Sequence, residues 1–362
     1  MNPFIQLAPM EGVLDWVLRE QLSAIGGVDR MVTEFVRVTQ LLLPDHVFYR
    51  YSPELLQGGK TTHGTPVFVQ LLGGQPGPMA ENARRAVELG APGIDLNFGC
   101  PAKTVNRHDG GATLLKAPER LREIILAVRA ALPRPVPVTA KVRLGFDNKD
   151  LHREIGQAVE DAGADHIVVH ARTKHEMYTP PAHWQYIASM RQGSRLRYIA
   201  NGDIWTVADY WNCVASTGVY DVALGRGLVR NPGLALEIRQ DIAKRNNLPM
   251  PALVFVREDF LLNFYTTTRQ HFGPRFALAR LKQLLRYWST GDTTVKLWFD
   301  AVKTMLNEES LSAFFEEQLC RPFKFIPGPT APTATAPKIY LNAKALNLKK
   351  SISTVATQNL PS

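Results

Sequence analysis

Cysteine is scarce in this chain of 362 residues, with thiols only at Cys100, Cys213 and Cys320. Three unevenly spaced cysteines cannot build a disulfide framework, and their spacing matches no zinc-ligand motif. We therefore expect no structural metal site. The low cysteine content is typical of a protein from a reducing compartment.

Long apolar runs are also missing, because no stretch of about 18 uncharged apolar residues occurs. The first residues, Met1 to Leu7, lack a basic segment followed by an apolar core. We expect no membrane association, and the sequence favours a cytoplasmic location.

Acidic residues stop at Glu317, although the chain as a whole has a net charge of +9 and a pI near 9.5. A basic balance favours a polyanionic partner, yet solvated lysines and arginines produce the same balance without any ligand. Six of the nine excess charges lie near the end of the chain, at Arg321, Lys324, Lys338, Lys344, Lys349 and Lys350. Residues 323–362 are rich in Pro, Thr and Lys and lack an apolar period, which predicts a disordered basic tail.

Strand-like runs alternate with helical patterns over most of the chain. The runs lie at 4–8, 31–35, 65–72, 93–97, 136–144, 165–170, 197–201 and 221–225. Helical patterns follow most of them, for example over 78–90 and 151–163, which end at glycines, and from Pro118 onward. Several runs are continuously apolar, which indicates parallel strands buried on both faces. The simplest architecture is a (β/α)8 TIM barrel, with a doubly wound open sheet as the alternative.

Polar residues and glycines recur at the carboxyl ends of these strands, which favours the barrel. In a barrel all such ends meet at one mouth, where enzymes of this fold carry their active sites. Each residue alone has an ordinary explanation, since Lys141 could be a solvated strand end and His170 a hydrogen-bonded core histidine. The set comprises Ala8, Pro9, Met10, Gln70, Asn97, Cys100, Lys141, Arg143, His170, Arg172, Asn201, Gly202, Asp203, Gly225, Arg226 and Gly227.

Cys100 stands out because it lies between Gly99 and Pro101, just after a strand. Turns at such a position hold side chains at a surface. A buried, inert thiol is the alternative, since free cysteine often behaves as a small apolar residue.

The glycines after strands seven and eight, Gly202 and Gly225, indicate a phosphate site, because backbone N–H groups in tight loops can face phosphate oxygens. Neither loop matches the dinucleotide fingerprint of three spaced glycines, so a mononucleotide fits better. If that ligand is FMN, the Lys141 ammonium could lie beside the N1 and O2 edge of the flavin. Gln70 could hydrogen-bond to the same ring.

From about residue 250 the alternation stops, and helices are predicted over 255–271, 276–290 and 293–320. The middle helix has an apolar face made by Ala277, Leu281, Leu284, Leu285 and Trp288. Arg275, Lys282 and Arg286 cluster on the other side, with Arg280 on the flank. An ordinary solvated helix face looks the same, but beside a nucleotide-binding barrel this face is a candidate phosphate track.

Taken together, these segments resemble the bacterial tRNA-dihydrouridine synthases over roughly residues 4–320, and among them the type that acts at position 16 of the D loop. The segments that carry the resemblance are Leu7–Gly12, Thr33–Arg37, Asp95–Pro101, Lys141–Arg143, His170–Lys174, Asn201–Ile204 and Ala279–Gln283. The resemblance implies an FMN-binding catalytic barrel over 1–245 and a helical tRNA-binding domain over 250–322. It also implies NADPH as reductant, and we expect a monomer.

The resemblance further implies roles for individual residues. Cys100 would be the catalytic acid that protonates C5 of uracil, while FMN N5 delivers hydride to C6. FMN would contact Ala8, Pro9, Met10, Gln70, Lys141, His170, Asn201, Gly202, Asp203, Gly225 and Arg226. The expected tRNA contacts are Glu34, Asn97, Arg143, Arg172, Lys174, Arg280, Lys282, Arg286 and Lys303. The position-16 type depends chiefly on Glu34, Arg280, Lys282 and Lys303.

Two other classes of function stay open at this point. An FMN barrel that reduces a small molecule, of the dihydroorotate or ene-reductase type, needs the flavin set but not the basic helices. An RNA-binding protein without catalysis needs the basic helices but neither Lys141 nor Cys100.

Overall fold

The computed structural model describes residues 2–102, 110–252 and 255–321, and its centre is a parallel sheet. The strands are β1 Ile5–Leu7, β2 Arg30–Val32, β3 Val36–Arg37, β4 Val67–Leu72, β5 Ile94–Asn97, β6 Val138–Gly145, β7 His166–Thr173, β8 Arg197–Asn201 and β9 Val222–Leu224. β1 pairs with both β2 and β9, and β2 pairs with β4, so the sheet closes on itself. The predicted (β/α)8 barrel is confirmed.

The second barrel strand differs from its prediction, because it is broken into β2 and β3 rather than running over 31–35. Both pieces pair with β4, β2 with its first half and β3 with its last residues. Between them, the Thr33 hydroxyl accepts the N–H of Gln70 at 3.0 Å. A side-chain oxygen thus takes the place of a strand carbonyl, and the chain leaves the regular ladder there.

The helices cover the outside of the barrel. They are α1 Trp16–Ile25, α2 Asp45–Tyr51, α3 Pro76–Glu88, α4 Pro118–Ala131, α5 His152–Asp161, α6 Gln185–Arg191, α7 Val207–Thr217, α8 Arg226–Arg230 and α9 Leu234–Arg245. Gly90 and Gly163, the glycines expected to stop α3 and α5, lie two residues after these helices end. Their φ angles of 106° and 74° are positive, as is usual for a glycine that ends a helix. Within the described residues, no helix is both long and apolar enough to span a membrane.

Alternation along β4 and β5 turns polar side chains into the interior of the barrel. Val69 and Leu71 of β4 belong to the large apolar core, so Gln70 between them points to the opposite side. Asp95 of β5 alternates in the same way between Ile94 and Leu96. The interior of the barrel therefore holds polar side chains, and their hydrogen bonds must be satisfied within it.

A helical segment follows the barrel, with α10 Arg257–Phe272, α11 Pro274–Trp288, α12 Thr293–Val302, α13 Glu308–Ala313 and a π-helical turn over Phe314–Gln318. The apolar face predicted for α11 is buried throughout, and the Trp288 indole donates to the Val229 carbonyl at 2.7 Å. The single helix predicted over 293–320 is wrong, because Asn307 caps a new helix by accepting the Ser310 N–H. The predicted domain boundary at 245–250 stays a prediction, and the predicted tail at 323–362 lies outside the described residues.

Candidate active site

The Cys100 loop is held by the side chain that ends β5. The Asn97 amide oxygen accepts the N–H groups of Gly99 and Cys100 at 3.0 and 2.9 Å. The Cys100 carbonyl in turn accepts the N–H of Ala112 at 3.1 Å. The backbone around the thiol is therefore fixed on both sides.

The Cys100 side chain is 7% exposed and packs against Leu72 and Phe35. Burial raises the pKa of this thiol, and the Glu11 carboxylate acts in the same direction. The thiol thus stays protonated at neutral pH. A protonated thiol is suited to giving up a proton and poorly suited to nucleophilic attack.

Lys141 lies directly across from Asn97 in the pairing of β5 with β6. Burial lowers the pKa of Lys141 to about 8, with Arg143 acting in the same direction. Its ammonium makes no hydrogen bond or ion pair to any of the described residues. A cation kept without a partner in a partly buried position favours an anionic ligand at this place.

His170 stays neutral, because burial and the neighbouring cations Arg143 and Lys141 hold its pKa well below the usual range. Its Nε2 accepts from the Arg172 guanidinium at 3.4 Å, so Nδ1 carries the proton. The ring therefore presents a donor.

The glycine loop after β9 lies beside the β1 loop, and the glycine loop after β8 lies beside the end of β7. A Cβ on Gly225 would lie 3.7 Å from Met10 Sδ and 4.0 Å from Ala8 Cβ. Gly202 has a φ of +120°, and a Cβ there would lie 3.1 Å from the His170 ring. Glycine is thus required at position 202, where the backbone approaches His170 closely.

Arg226 lies at the edge of the same loops, 3.9 Å from the Asp203 carboxylate. Its guanidinium stacks on the rings of Tyr178 and Trp205 at 5.1 and 5.0 Å. These two rings were not predicted as site residues, since nothing in their local sequence sets them apart. They fix the plane of a cation beside the candidate phosphate loops.

Gln70 was predicted to contact a flavin, and the structure shows a side chain already engaged on both of its polar atoms. Its Nε2 donates to Asp95 at 2.6 Å, and its Oε1 accepts from Asn97 at 2.8 Å. The Asp95 carboxylate also accepts from the Thr139 hydroxyl at 2.5 Å. The sequence contained a signal for Asp95, an acidic residue between two apolar ones in a buried strand, and no role was assigned to it.

Arg143 and Arg172 are buried and make contacts inside the protein, and their predicted contacts with tRNA stay predictions. Arg172 is 0% exposed, forms an ion pair with Asp203 and donates to the Thr179 carbonyl at 2.6 Å. Arg143 is also buried and donates to the carbonyls of Gly99, Thr173 and Met177. Both guanidiniums brace loops at the barrel mouth.

Arg280 was predicted as part of a basic track, and that contact with tRNA stays a prediction. It is 7% exposed and forms an ion pair with Asp15 at 2.9 Å. It also donates to the carbonyls of Gly12 and Val13, at 3.1 and 2.6 Å. Arg280 therefore ties α11 to the loop after β1, because its donors are taken up inside the protein.

The other predicted tRNA contacts differ in burial and in the partners that they have within the protein. The half-buried Lys282 donates to the Met305 carbonyl at 2.5 Å, and Lys303 is exposed beside Asp300 at 2.6 Å. Arg286 is exposed on α11. Glu34 accepts the Gly12 N–H, and Lys174 lies over the Phe146 ring at 4.7 Å. Their contacts with tRNA stay predictions.

The barrel mouth thus brings together a protonated thiol, an ammonium with no hydrogen-bond or ion-pair partner among the described residues, and two glycine loops. These features are typical of a cofactor-dependent barrel enzyme. In the described residues, no group of three or more metal-ligating side chains accompanies them. The chain belongs to the dihydrouridine synthase family, whose sequence model matches residues 6–319. This is a family of flavin-dependent oxidoreductases.

Relatives with curated names agree with this family. The chain is 53% identical over 299 residues to a tRNA-dihydrouridine(16) synthase of Pseudomonas syringae pv. tomato, covering 83% of this chain and 94% of the relative. It is 48% identical over 281 residues to the tRNA-dihydrouridine(16) synthase of Aquipseudomonas alcaligenes, covering 78% and 89%. With the same enzyme of Ralstonia nicotianae it shares 42% identity over 316 residues, covering 87% and 96%.

Proposed function

We propose that this protein reduces uridine to 5,6-dihydrouridine at position 16 of the tRNA D loop, with FMN as cofactor and NADPH as reductant. One observation carries the proposal: the protonated Cys100 thiol and the Lys141 ammonium both lie at the mouth, on the adjacent strands β5 and β6 or just after them. Among the described residues the ammonium has no hydrogen-bond or ion-pair partner. The names of the relatives support the substrate and the position.

The residues at the mouth fit FMN. Lys141 offers a charge for the anionic edge of the ring, and the glycine loops at Gly202 and Gly225 suit one phosphate group. We assign the cofactor contacts to Ala8, Pro9, Met10, Gln70, Lys141, His170, Asn201, Gly202, Asp203, Gly225 and Arg226. When bound, the flavin supplies the hydride that adds to uracil C6.

The protein's own side chains complete the reduction by protonating uracil C5. Hydride addition at C6 leaves negative charge on the uracil C5 and O4, and the Cys100 Sγ–H supplies the proton to C5. Asn97 holds the Cys100 loop and has a second amide hydrogen for an edge of the base. The buried Leu72 and the partly buried Phe35 form an apolar wall that limits the access of water to the thiol.

A uridine within folded tRNA must be extruded to reach this mouth, and contacts with the rest of the RNA offset that cost. We assign the exposed Arg286 and Lys303 and the half-buried Lys174 and Lys282 to the phosphate backbone. Glu34, as an acidic residue, is assigned to a tRNA contact other than phosphate. We further propose a monomer that acts in the cytoplasm, where tRNA is modified.

The test uses the purified protein, its released flavin and tRNA that lacks dihydrouridine. We expect FMN, and we expect NADPH oxidation that depends on the unmodified tRNA. FAD or the absence of flavin would refute the cofactor assignment. Turnover with small enones or orotate but not with tRNA would instead favour a small-molecule reductase.

A further inference from the structure

A chain of buried hydrogen bonds crosses three strands inside the barrel. It runs from Thr139 on β6 to Asp95 on β5, then to Gln70 on β4 and back to Asn97 on β5. Strand pairing places Asp95 in register with both Gln70 and Thr139. Asp95 and Gln70 are fully buried, and no cofactor or substrate role has been given to Asp95.

The direction of this chain follows from its last members. Asn97 uses its oxygen to accept two backbone N–H groups, those of Gly99 and Cys100, so only its Nδ2 can face Gln70. Gln70 must then accept with Oε1 and donate with Nε2. The chain therefore needs an acceptor at its far end, and the Asp95 carboxylate is that acceptor.

We propose that Asp95 is a positioning residue for the reaction: acting through Gln70 and Asn97, its carboxylate fixes the amide orientations that hold the Cys100 loop in place. The thiol lies five residues away in sequence and does not touch Asp95. The catalytic meaning of this role rests on the proposed function of Cys100 as proton donor.

The proposal predicts that the donor and acceptor directions of these hydrogen bonds can be reversed at both ends together but not at one end alone. In Asn97→Asp, the new carboxylate still accepts both backbone N–H groups but faces the Gln70 oxygen without a donor. Gln70 cannot turn over to relieve this, because its oxygen would then face the Asp95 carboxylate. One buried polar contact is therefore left repulsive, which loosens the Cys100 loop.

Adding Asp95→Asn removes that obstacle. The new amide at position 95 can donate to Gln70 Oε1, Gln70 Nε2 can donate to position 97, and every group again has a partner. Asp95→Asn alone retains an acceptor for Gln70. The Thr139 hydroxyl can then donate to the Ile94 carbonyl, which lies 3.4 Å from it in the parent structure. Because no polar group loses its partner, the single change serves as a matched control.

The experiment measures alkylation of Cys100 by iodoacetamide in the flavin-loaded protein, in a Cys320→Ser background that removes the exposed thiol. The buried Cys213 reports global loosening in the same sample. The rates are measured over a range of pH and compared per thiolate, because a new carboxylate at position 97 also raises the pKa of Cys100. On that basis we expect Asn97→Asp to speed Cys100 alkylation about tenfold or more, Asp95→Asn to change it less than about threefold, and the double variant to return within about threefold of the parent. Cys213 should stay protected throughout.

A double variant as reactive as Asn97→Asp would overturn the proposal, as would equal acceleration at Cys213. If Asn97→Asp does not fold, Gln70→Met removes both hydrogen bonds of Gln70 while keeping a side chain of similar length. That variant should speed Cys100 alkylation and make it insensitive to Asp95→Asn, and an unchanged rate would contradict the proposal. Because alkylation does not depend on tRNA reduction, a failure of the proposed function would leave this result readable.

Discussion

The barrel mouth and the helical segment were both predicted from patterns in the sequence, but the pattern foretold the neighbours of a residue better at the mouth than on the helices. At the mouth, residues distant in sequence, such as Met10 and Gly225, meet because a closed parallel sheet brings all its strand ends to one place. On α11, the apolar face is buried as expected, but Arg280 next to it faces Asp15 rather than solvent. Fold closure determines which residues meet, whereas helical periodicity shows only which side a residue faces.

The largest expected effect is at the mouth. Cys100→Ala should lower uridine reduction by about 100-fold or more, because the general acid is lost. Reduction of the bound flavin by NADPH should stay near the parental rate. Stopped-flow measurement of the two half-reactions checks this, with Cys320→Ser as the control thiol. A tRNA half-reaction at the parental rate would show that another group supplies the proton.

The next largest effect is expected at Arg280, which joins the helical segment to the barrel through the loop after β1. Arg280→Ala removes the ion pair to Asp15 and the donor to the Val13 carbonyl, while the Gly12 carbonyl keeps the Gln283 amide as a donor. Loss of such a buried ion-pair partner costs about 3 kcal/mol. We expect a lower free energy of unfolding and weaker flavin retention, with the salt dependence of tRNA binding nearly unchanged. A flatter salt dependence with normal stability would restore the predicted phosphate contact.

The next effect follows from the charge of Lys141. Its pKa of about 8 means that the ammonium is present below that pH and lost above it in the flavin-free protein. FMN affinity should therefore be constant up to about pH 7 and fall several-fold by about pH 9.5. Titration of apoprotein by flavin fluorescence checks this, and Lys141→Met should weaken binding and abolish the dependence. A parental pH dependence in Lys141→Met would assign the effect elsewhere.

The smallest effects are expected at the exposed cations of the helical segment. Arg286→Ala and Lys303→Ala should each weaken tRNA binding a few-fold and lower the salt slope by about one, because each removes one phosphate contact. Flavin content should not change. Arg275→Ala, on the same helix as Arg286 but without an assigned contact, is the matched control. Equal losses in all three variants would indicate general electrostatic attraction instead of specific contacts.

The sequence predicted the barrel because its signals were local: eight strand-like runs, most of them followed by a helical pattern. The same logic placed Cys100, Lys141 and the glycine loops at one mouth. It could not place partners that depend on tertiary contacts, such as Asp15 for Arg280 or Asp203 for Arg172. The break at Thr33 was missed for the same reason, because a hydroxyl replaces a backbone acceptor without altering the apolar pattern.

The central claim is that this mouth reduces one uridine of the D loop. Mapping of dihydrouridine in tRNA from a strain that lacks the gene tests it most directly, with the parental gene and Cys100→Ala supplied in trans. We predict loss of dihydrouridine at position 16, restored by the parental gene and not by the variant. Intact dihydrouridine at every D-loop position in the deletion strain, with no redundant enzyme present, would contradict the account.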